Sequence, residues 1–154
     1  PKYAIDVLGG DATVIPLLLT LFSLGIGLGS LLCETLSRRT VEIGLVPLGA
    51  IGMTVFGVDL WLAQPQASAH ALEVAAGTAN ALDWRGFLAA EGSARIAIDL
   101  ALIGLFGGFF IVPLFALVQQ RAPREQLSRV IAANNILNAL FIVIAAGLAI
   151  VLLG

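Results

Sequence analysis

Long stretches without a charged residue limit what this chain can fold into. Asp11 and Glu34 enclose 22 uncharged residues, a second such run lies between Asp99 and Arg121, and no charge follows Arg129. About 20 helical residues at about 1.5 Å each cover the roughly 30 Å of a bilayer core. Only 12% of the residues are charged and 59% are hydrophobic, far more apolar than a soluble domain of this size requires. The pattern predicts a membrane protein.

Four apolar segments are long enough to cross a bilayer. Backbone groups in hydrocarbon must find hydrogen-bond partners within their own segment, which a helix provides and an isolated strand does not. The sequence therefore predicts an all-α membrane protein with four transmembrane helices, over about 12–33, 43–63, 96–118 and 130–153. The long connection 64–93 is predicted to be an external loop.

The positions of the arginines predict the orientation of these helices. Arg38 and Arg39 lie in the first short connection, and Arg121 and Arg124 lie in the second. Connections rich in arginine and lysine usually remain in the cytoplasm. We therefore expect both short connections on the cytoplasmic side, with the connection 64–93 and both ends of the chain on the other side.

The external loop has two interpretations. Residues 81–88 would place Trp84 and Phe87 near each other on a helical surface, as in a segment anchored at the membrane interface. A polar loop with its tryptophan at the lipid headgroups explains the same residues. His70, elsewhere in the loop, is predicted to be solvated.

Composition argues against several classes of function. A net charge of −2 without a large basic patch argues against nucleic acid as a partner. The single cysteine, Cys33, cannot form an intramolecular disulfide. No residues have the spacing of metal ligands, and no nucleophile, base and orienting residue occur together. We therefore expect no enzymatic activity, no metal and no cofactor in this chain.

Two pairs of glycines predict close contact between helices. Gly25 and Gly29 stand four residues apart, as do Gly104 and Gly108. Small residues at this spacing let the backbones of neighbouring helices approach closely, which matters in lipid because no hydrophobic effect draws helices together there. The glycines therefore indicate helix packing, not a reaction.

Three asparagines are the most informative polar residues in the predicted spans. Asn134 and Asn138 share one face of the fourth span, and Asn135 lies beside Asn134. Side chains of this kind point into the protein or a polar path and not into lipid. They either form hydrogen bonds between helices or line a conduit for a transported molecule, and both interpretations stay open.

Two carboxylates and one arginine lie near the predicted outer ends of the second and third spans. Arg95 is one turn before Asp99, and Asp59 is in the neighbouring span. An ion pair at the level of the headgroups is the first interpretation. Binding of a proton or a cationic headgroup by either carboxylate is the second, and the shallow predicted depth favours the first.

The first short connection resembles a loop of the major facilitator superfamily, in which a glycine, an acid and a basic pair join two helices. The segment 29–39 supplies Gly29, Glu34, Arg38 and Arg39, although its second glycine is replaced. The resemblance implies a cytoplasmic gate formed by Glu34, Arg38 and Arg39, whose charges pair with a neighbouring helix end in one state and separate from it in the other. Simple anchoring by the positive-inside rule explains the two arginines without Glu34.

A second resemblance covers nearly the whole chain. The sequence is similar to the lysophospholipid transporter family at residues 6–11, 25–34, 41–47, 107–113, 119–124 and 129–138, the last reading Arg-Val-Ile-Ala-Ala-Asn-Asn-Ile-Leu-Asn. The resemblance implies part of the C-terminal half of a twelve-helix transporter, supplying helices eight to eleven. It further implies a multi-pass protein of the bacterial inner membrane that moves lysophospholipids toward the cytoplasmic leaflet for reacylation.

The expected partners follow from the same resemblance. They are the bilayer, a lysophospholipid substrate, the remaining helices of the transporter and an acyltransferase, which in some bacteria is fused to this family together with an acyl-carrier-protein synthetase. Two other functions stay open: a general major facilitator exporter of amphipathic compounds, and a noncatalytic membrane anchor of a fused acyltransferase.

Overall fold

The helices of this chain follow the apolar segments. The computed structural model describes residues 8–37, 43–77, 79–90 and 92–153, with the backbone alone described at 64–69 and 153. It contains five α-helices and one short 3₁₀ turn in these residues: α1 Val14–Leu36, α2 Leu45–Ala75, α3 Trp84–Ala89, α4 Ser93–Arg121, the 3₁₀ turn Arg124–Gln126 and α5 Leu127–Leu153. The described residues form no strand, only one isolated bridge between Gly10 and Leu82.

Four of these helices are long and apolar enough to cross a membrane. The candidate spans are Val14–Leu36, Leu45–Ala63, Ser93–Arg121 and Arg124–Leu152, with mean hydropathies between 1.7 and 2.5. Most of their large apolar side chains are exposed, which suits hydrocarbon and not water as the surrounding medium. The prediction of an all-helical protein with four helices long and apolar enough to span a membrane is confirmed, and these helices indicate a membrane-embedded protein.

The candidate span ends at Ala63, as predicted, and the first part of the predicted external loop 64–93 is helical, since α2 continues to Ala75. The sequence prediction ended the second span at about Ala63, before a connection that begins Gln-Pro-Gln and is rich in alanine. Alanine has the highest intrinsic helix propensity of all residues, which favours continuation of α2 through this alanine-rich segment. Gly77, two residues after the last helical residue, has a φ of +72°, the left-handed conformation that closes many helices.

The first of two compact units, residues 1–115, contains α1, α2, α3 and most of α4. Gly25 faces Ala101 and Gly29 faces Leu105, so α1 and α4 run parallel. Gly49 faces Phe110 and Gly52 faces Phe106, so α2 runs antiparallel to α4. Helix α4 therefore packs against both α1 and α2.

The hydrophobic core of this unit lies at the end of the helices next to α3, here named the α3 end. Its buried members are Leu8, Val14, Ala63, Phe87 and Ile96. They come from the segment before α1 and from all four helices of the unit. The core therefore joins the helices at the α3 end, while the glycine contacts join them farther along.

The second unit, residues 116–154, comprises the last residues of α4, the 3₁₀ turn and α5. No residue of its candidate span is buried. A helix that is apolar on all sides and exposed on all sides is stable in lipid or against further helices.

Candidate functional site

Hydrogen bonds at the α3 end fix the chain where it enters α1. The Thr13 hydroxyl donates to Asp11 Oδ1 at 2.5 Å and accepts from the Trp84 backbone N–H at 3.0 Å. The backbone N–H of Asp11 donates to the Leu82 carbonyl at 2.8 Å. Asp83 caps α3, because its Oδ1 accepts from the Gly86 N–H at 2.8 Å. These bonds attach α3 to the start of α1.

The hydrogen bond from the Thr13 hydroxyl, aided by the Thr13 backbone N–H, lowers the pKa of Asp11. Ionised Asp11 therefore stabilises the folded arrangement, and this contribution is complete above the ordinary aspartate pKa and lost as the pH falls through the lowered value. The variant Thr13→Val keeps the shape and removes the hydroxyl. We expect the pKa of Asp11, measured by NMR titration of its carboxyl carbon, to rise toward its ordinary value. An unchanged pKa would show that the hydroxyl does not act on Asp11.

Arg95 on α4 forms an ion pair with Asp59 on α2. Its Nε donates to Asp59 Oδ2 at 2.9 Å, and its Nη2 donates to Asp59 Oδ1. Two parallel hydrogen bonds of this kind fix the geometry as well as the distance. The pair joins two helices near the α3 end, as the ion-pair interpretation predicts, and Arg95 takes its partner from the neighbouring helix.

Asp99 lies one turn farther along α4 and is buried, with 3% of its surface exposed. The Asp59 carboxylate lies beside it and interacts with it. Asp99 Oδ2 has no hydrogen-bond partner among the residues that the structure describes. Asp99 lies near the start of α4, as predicted, and the packing of α2 against α4 covers its carboxyl group, which the sequence analysis did not foresee.

All four predicted packing glycines meet at the crossing of α1 and α4. A Cβ atom at Gly25 would collide with the Ala101 carbonyl oxygen, and one at Gly29 with the Leu105 carbonyl oxygen. A Cβ atom at Gly104 would collide with the Phe22 carbonyl oxygen, and one at Gly108 would stand 2.8 Å from the Ser30 nitrogen. Backbone therefore meets backbone at this crossing, a contact that requires glycine.

Two further glycines, which the sequence analysis missed, lie at the crossing of α2 and α4. A Cβ atom at Gly49 would stand 2.7 Å from the Phe110 nitrogen, and one at Gly52 would collide with the Phe106 ring. The Phe106 ring also stacks on Phe56, with centroids 5.6 Å apart. The three-residue spacing of Gly49 and Gly52 was a usable signal, since residues three apart share a helix face.

The face of α1 that carries two hydroxyl residues borders an open groove of about 500 Å³. Four leucines supply most of its wall, and Thr20, Ser23 and Gly27 lie between them; the leucines are Leu19, Leu24, Leu28 and Leu31. The Thr20 hydroxyl donates to the Pro16 carbonyl at 2.7 Å. The sequence analysis did not identify this face, although residues 20, 23 and 27 have the spacing of one helical stripe.

The three asparagines lie on α5, in the second unit. Asn135 and Asn138 are exposed, and Asn134 is half-buried. The Asn134 side-chain nitrogen is itself buried and has no hydrogen-bond partner in the described part of the chain. An amide in an apolar helix requires a partner, which either interpretation of these residues would supply.

The predicted cytoplasmic gate is described in part. Glu34 is exposed in the last turn of α1. Arg38 and Arg39 lie outside the residues that the structure describes. The pairing of these three charges with a neighbouring helix end therefore stays a prediction.

The aromatic anchor and His70 differ from their predicted surroundings. Phe87 is fully buried, whereas Trp84 is 42% exposed and carries the Arg85 guanidinium 4.9 Å from its ring centroid. Of these two aromatic residues, Trp84 is therefore the one placed to meet a membrane interface. His70 was predicted to be solvated, but it lies within the extension of α2, half-buried, with Nε2 buried and Nδ1 3.8 Å from Glu73.

No family model, no curated protein and no solved structure matches the chain. Among the described residues, no three histidine, cysteine, aspartate or glutamate side chains are grouped to hold a metal ion. Membership of the lysophospholipid transporter family is therefore a proposal that depends on the residues of this chain.

Proposed function

We propose that this chain is a segment of a secondary transporter with the twelve-helix major facilitator architecture, and that it moves lysophospholipids across the bacterial inner membrane. The four spanning helices and the resemblance at 119–138 support a carrier. The observation that carries the substrate class is the groove on α1. It combines a long apolar wall with two hydroxyl residues, Thr20 and Ser23.

The groove suits the tail of a single-chain lipid. All of its lining residues lie on one face of α1, so it is an open groove that a flexible acyl chain can lie along. The leucines offer the acyl chain contacts equivalent to those of the bilayer, so the tail stays in an apolar medium during transfer. The polar headgroup needs polar partners, and Thr20 and Ser23 offer hydroxyl groups within the groove itself. A conduit role of Asn134 and Asn138 stays a separate prediction for the second unit.

The helix crossings support transport by alternating access. The glycine contacts hold α1 and α4 backbone to backbone, so these two helices move as one body. Such carriers rock rigid helical bundles around a site near the middle of the membrane. In this mechanism Glu34, Arg38 and Arg39 pair with a neighbouring helix end while the transporter is closed on the cytoplasmic side.

Uptake by the complete protein tests the proposal. Spheroplasts that contain it should accumulate labelled lysophosphatidylethanolamine above the level of cells that lack it. The variant Gly27→Trp should reduce this uptake severalfold, because a Cβ atom at Gly27 meets nothing within 4 Å and an indole there would fill the groove. The matched control is Gly57→Trp on α2, where a Cβ atom also meets nothing within 4 Å and which does not line the groove.

Three outcomes would contradict the proposal. Wild-type uptake equal to that of cells lacking the protein removes the substrate. Efflux of amphipathic dyes without lysophospholipid uptake favours the general exporter. Normal uptake by Gly27→Trp at wild-type protein levels shows that the groove does not carry the substrate.

A further inference from the structure

The charged groups between α2 and α4 do not balance. Asp59, Arg95 and Asp99 bring two acids and one base together near the α3 end. Both hydrogen bonds of the Arg95 guanidinium go to Asp59. Asp99 shares this one arginine with Asp59, so the cluster carries a net negative charge whenever both carboxyl groups are ionised.

Burial makes that charge costly. Asp99 is 3% exposed and follows Ile96 and Ala97, which are buried too. An isolated carboxylate without water or a cation is strongly destabilised, and carboxyl groups in this situation take up a proton. The adjacent Asp59 carboxylate adds to the cost, because two neighbouring carboxylates repel each other when both are ionised.

No other charged group described near Asp99 offsets this charge. On α2 the facing group is Asp59, and on α4 it is Arg95. Helix α1 has no charged residue before Glu34, near its far end. On α3, Arg85 lies over the Trp84 ring.

We propose that Asp99, together with Asp59, forms a proton-binding site that couples the carrier to a proton gradient. The coupling rests on the proposed transport function, whereas the binding of the proton does not. With the proton on Asp99, Arg95 pairs with Asp59 and holds α2 to α4. When the proton leaves to bulk water, the site gains one negative charge and Asp99 competes for Arg95, which lies four residues away on the same helix.

The loss of the proton therefore weakens the connection between α2 and α4. The bidentate pair of Arg95 with Asp59, which joins two helices, is exchanged for a pair of Arg95 with Asp99 within α4. The ionised Asp99 also repels the Asp59 carboxylate. A device of this kind has two discrete arrangements, which alternating access requires. One unpartnered oxygen suits a proton better than a metal cation, which would need several oxygen ligands.

Infrared spectroscopy of the purified protein tests the proton site without substrate. The wild type should show the carbonyl band of a protonated carboxyl group at neutral pH, and this band should vanish at high pH. The variant Asp99→Asn, which mimics the neutral form, should lack the band, whereas Asp83→Asn, at an exposed helix cap, should retain it. A wild-type spectrum identical to that of Asp99→Asn at neutral pH would overturn the proposal.

Proteoliposomes with an imposed pH gradient test the coupling. One pH unit can drive about tenfold accumulation of substrate for each proton coupled. Wild-type protein should concentrate labelled lysophospholipid accordingly, whereas Asp99→Asn should still exchange labelled for unlabelled lipid but no longer respond to the gradient. Gradient-driven accumulation by Asp99→Asn, or accumulation driven by Na⁺ instead, would overturn proton coupling at this site. If the wild type moved no lysophospholipid at all, the transport function would fail, and the infrared result would still decide the proton site.

Discussion

The variants Gly25→Ala and Gly29→Ala are each expected to destabilise the protein by about 1–3 kcal/mol or more, because each adds a methyl group where two helix backbones touch. The new Cβ atoms would overlap the carbonyl oxygens of Ala101 and Leu105. A backbone carbonyl cannot rotate out of the way as a side chain does, so α1 and α4 must separate. The apparent melting temperature of the detergent-purified protein measures the effect.

Gly27→Ala is the matched control, since it makes the same change in the same helix. A Cβ atom at Gly27 meets nothing within 4 Å, so no contact is lost. Alanine is favoured over glycine in a helix by up to about 1 kcal/mol, which predicts an unchanged or slightly raised melting temperature. Equal destabilisation by Gly27→Ala and Gly29→Ala would show that flexibility of the glycines, and not their contact with α4, matters.

The positions of the membrane helices and the glycines of the α1–α4 crossing could be predicted because both depend on local sequence. The length of a charge-free run sets the length of a span, and glycine spacing defines a face of a helix. The partner of that face could not be predicted. Gly25 and Gly104 lie 79 positions apart in the sequence, and only the packing of the helices shows that α1 and α4 run parallel and meet there.

The charged cluster shows the same limit. Spacing alone links Arg95 with Asp99, since residues four apart are neighbours on a helix. The structure pairs Arg95 with Asp59 because the crossing of α2 and α4 brings these two side chains together. The burial of Asp99 is likewise a product of this crossing. The position of Asp99 near the start of α4 did not indicate that its side chain is buried.

The α3 end of the first unit is held together by contacts that the sequence alone does not reveal. Residues 81–88 allowed either an anchored helix or a polar loop, and the structure has a short helix with one aromatic residue inside and one outside. A helix of six residues is not stable by itself. Its stability must come from its cap at Asp83, its bond to Thr13 and the side chain that it buries.

Phe87→Ala is therefore expected to destabilise the α3 end by about 3–5 kcal/mol, the usual cost of deleting a fully buried phenylalanine. The Phe87 ring packs in the core that contains Val14 and Ile96, so its loss leaves a cavity where α1 and α4 begin. The matched control is Leu88→Ala, one residue on, whose side chain is 40% exposed and should cost little. The apparent melting temperature should fall for Phe87→Ala, and limited proteolysis should cut faster at 79–90. Equal cleavage of the two variants would mean that the cap and the backbone bonds, not the Phe87 ring, hold α3 in place.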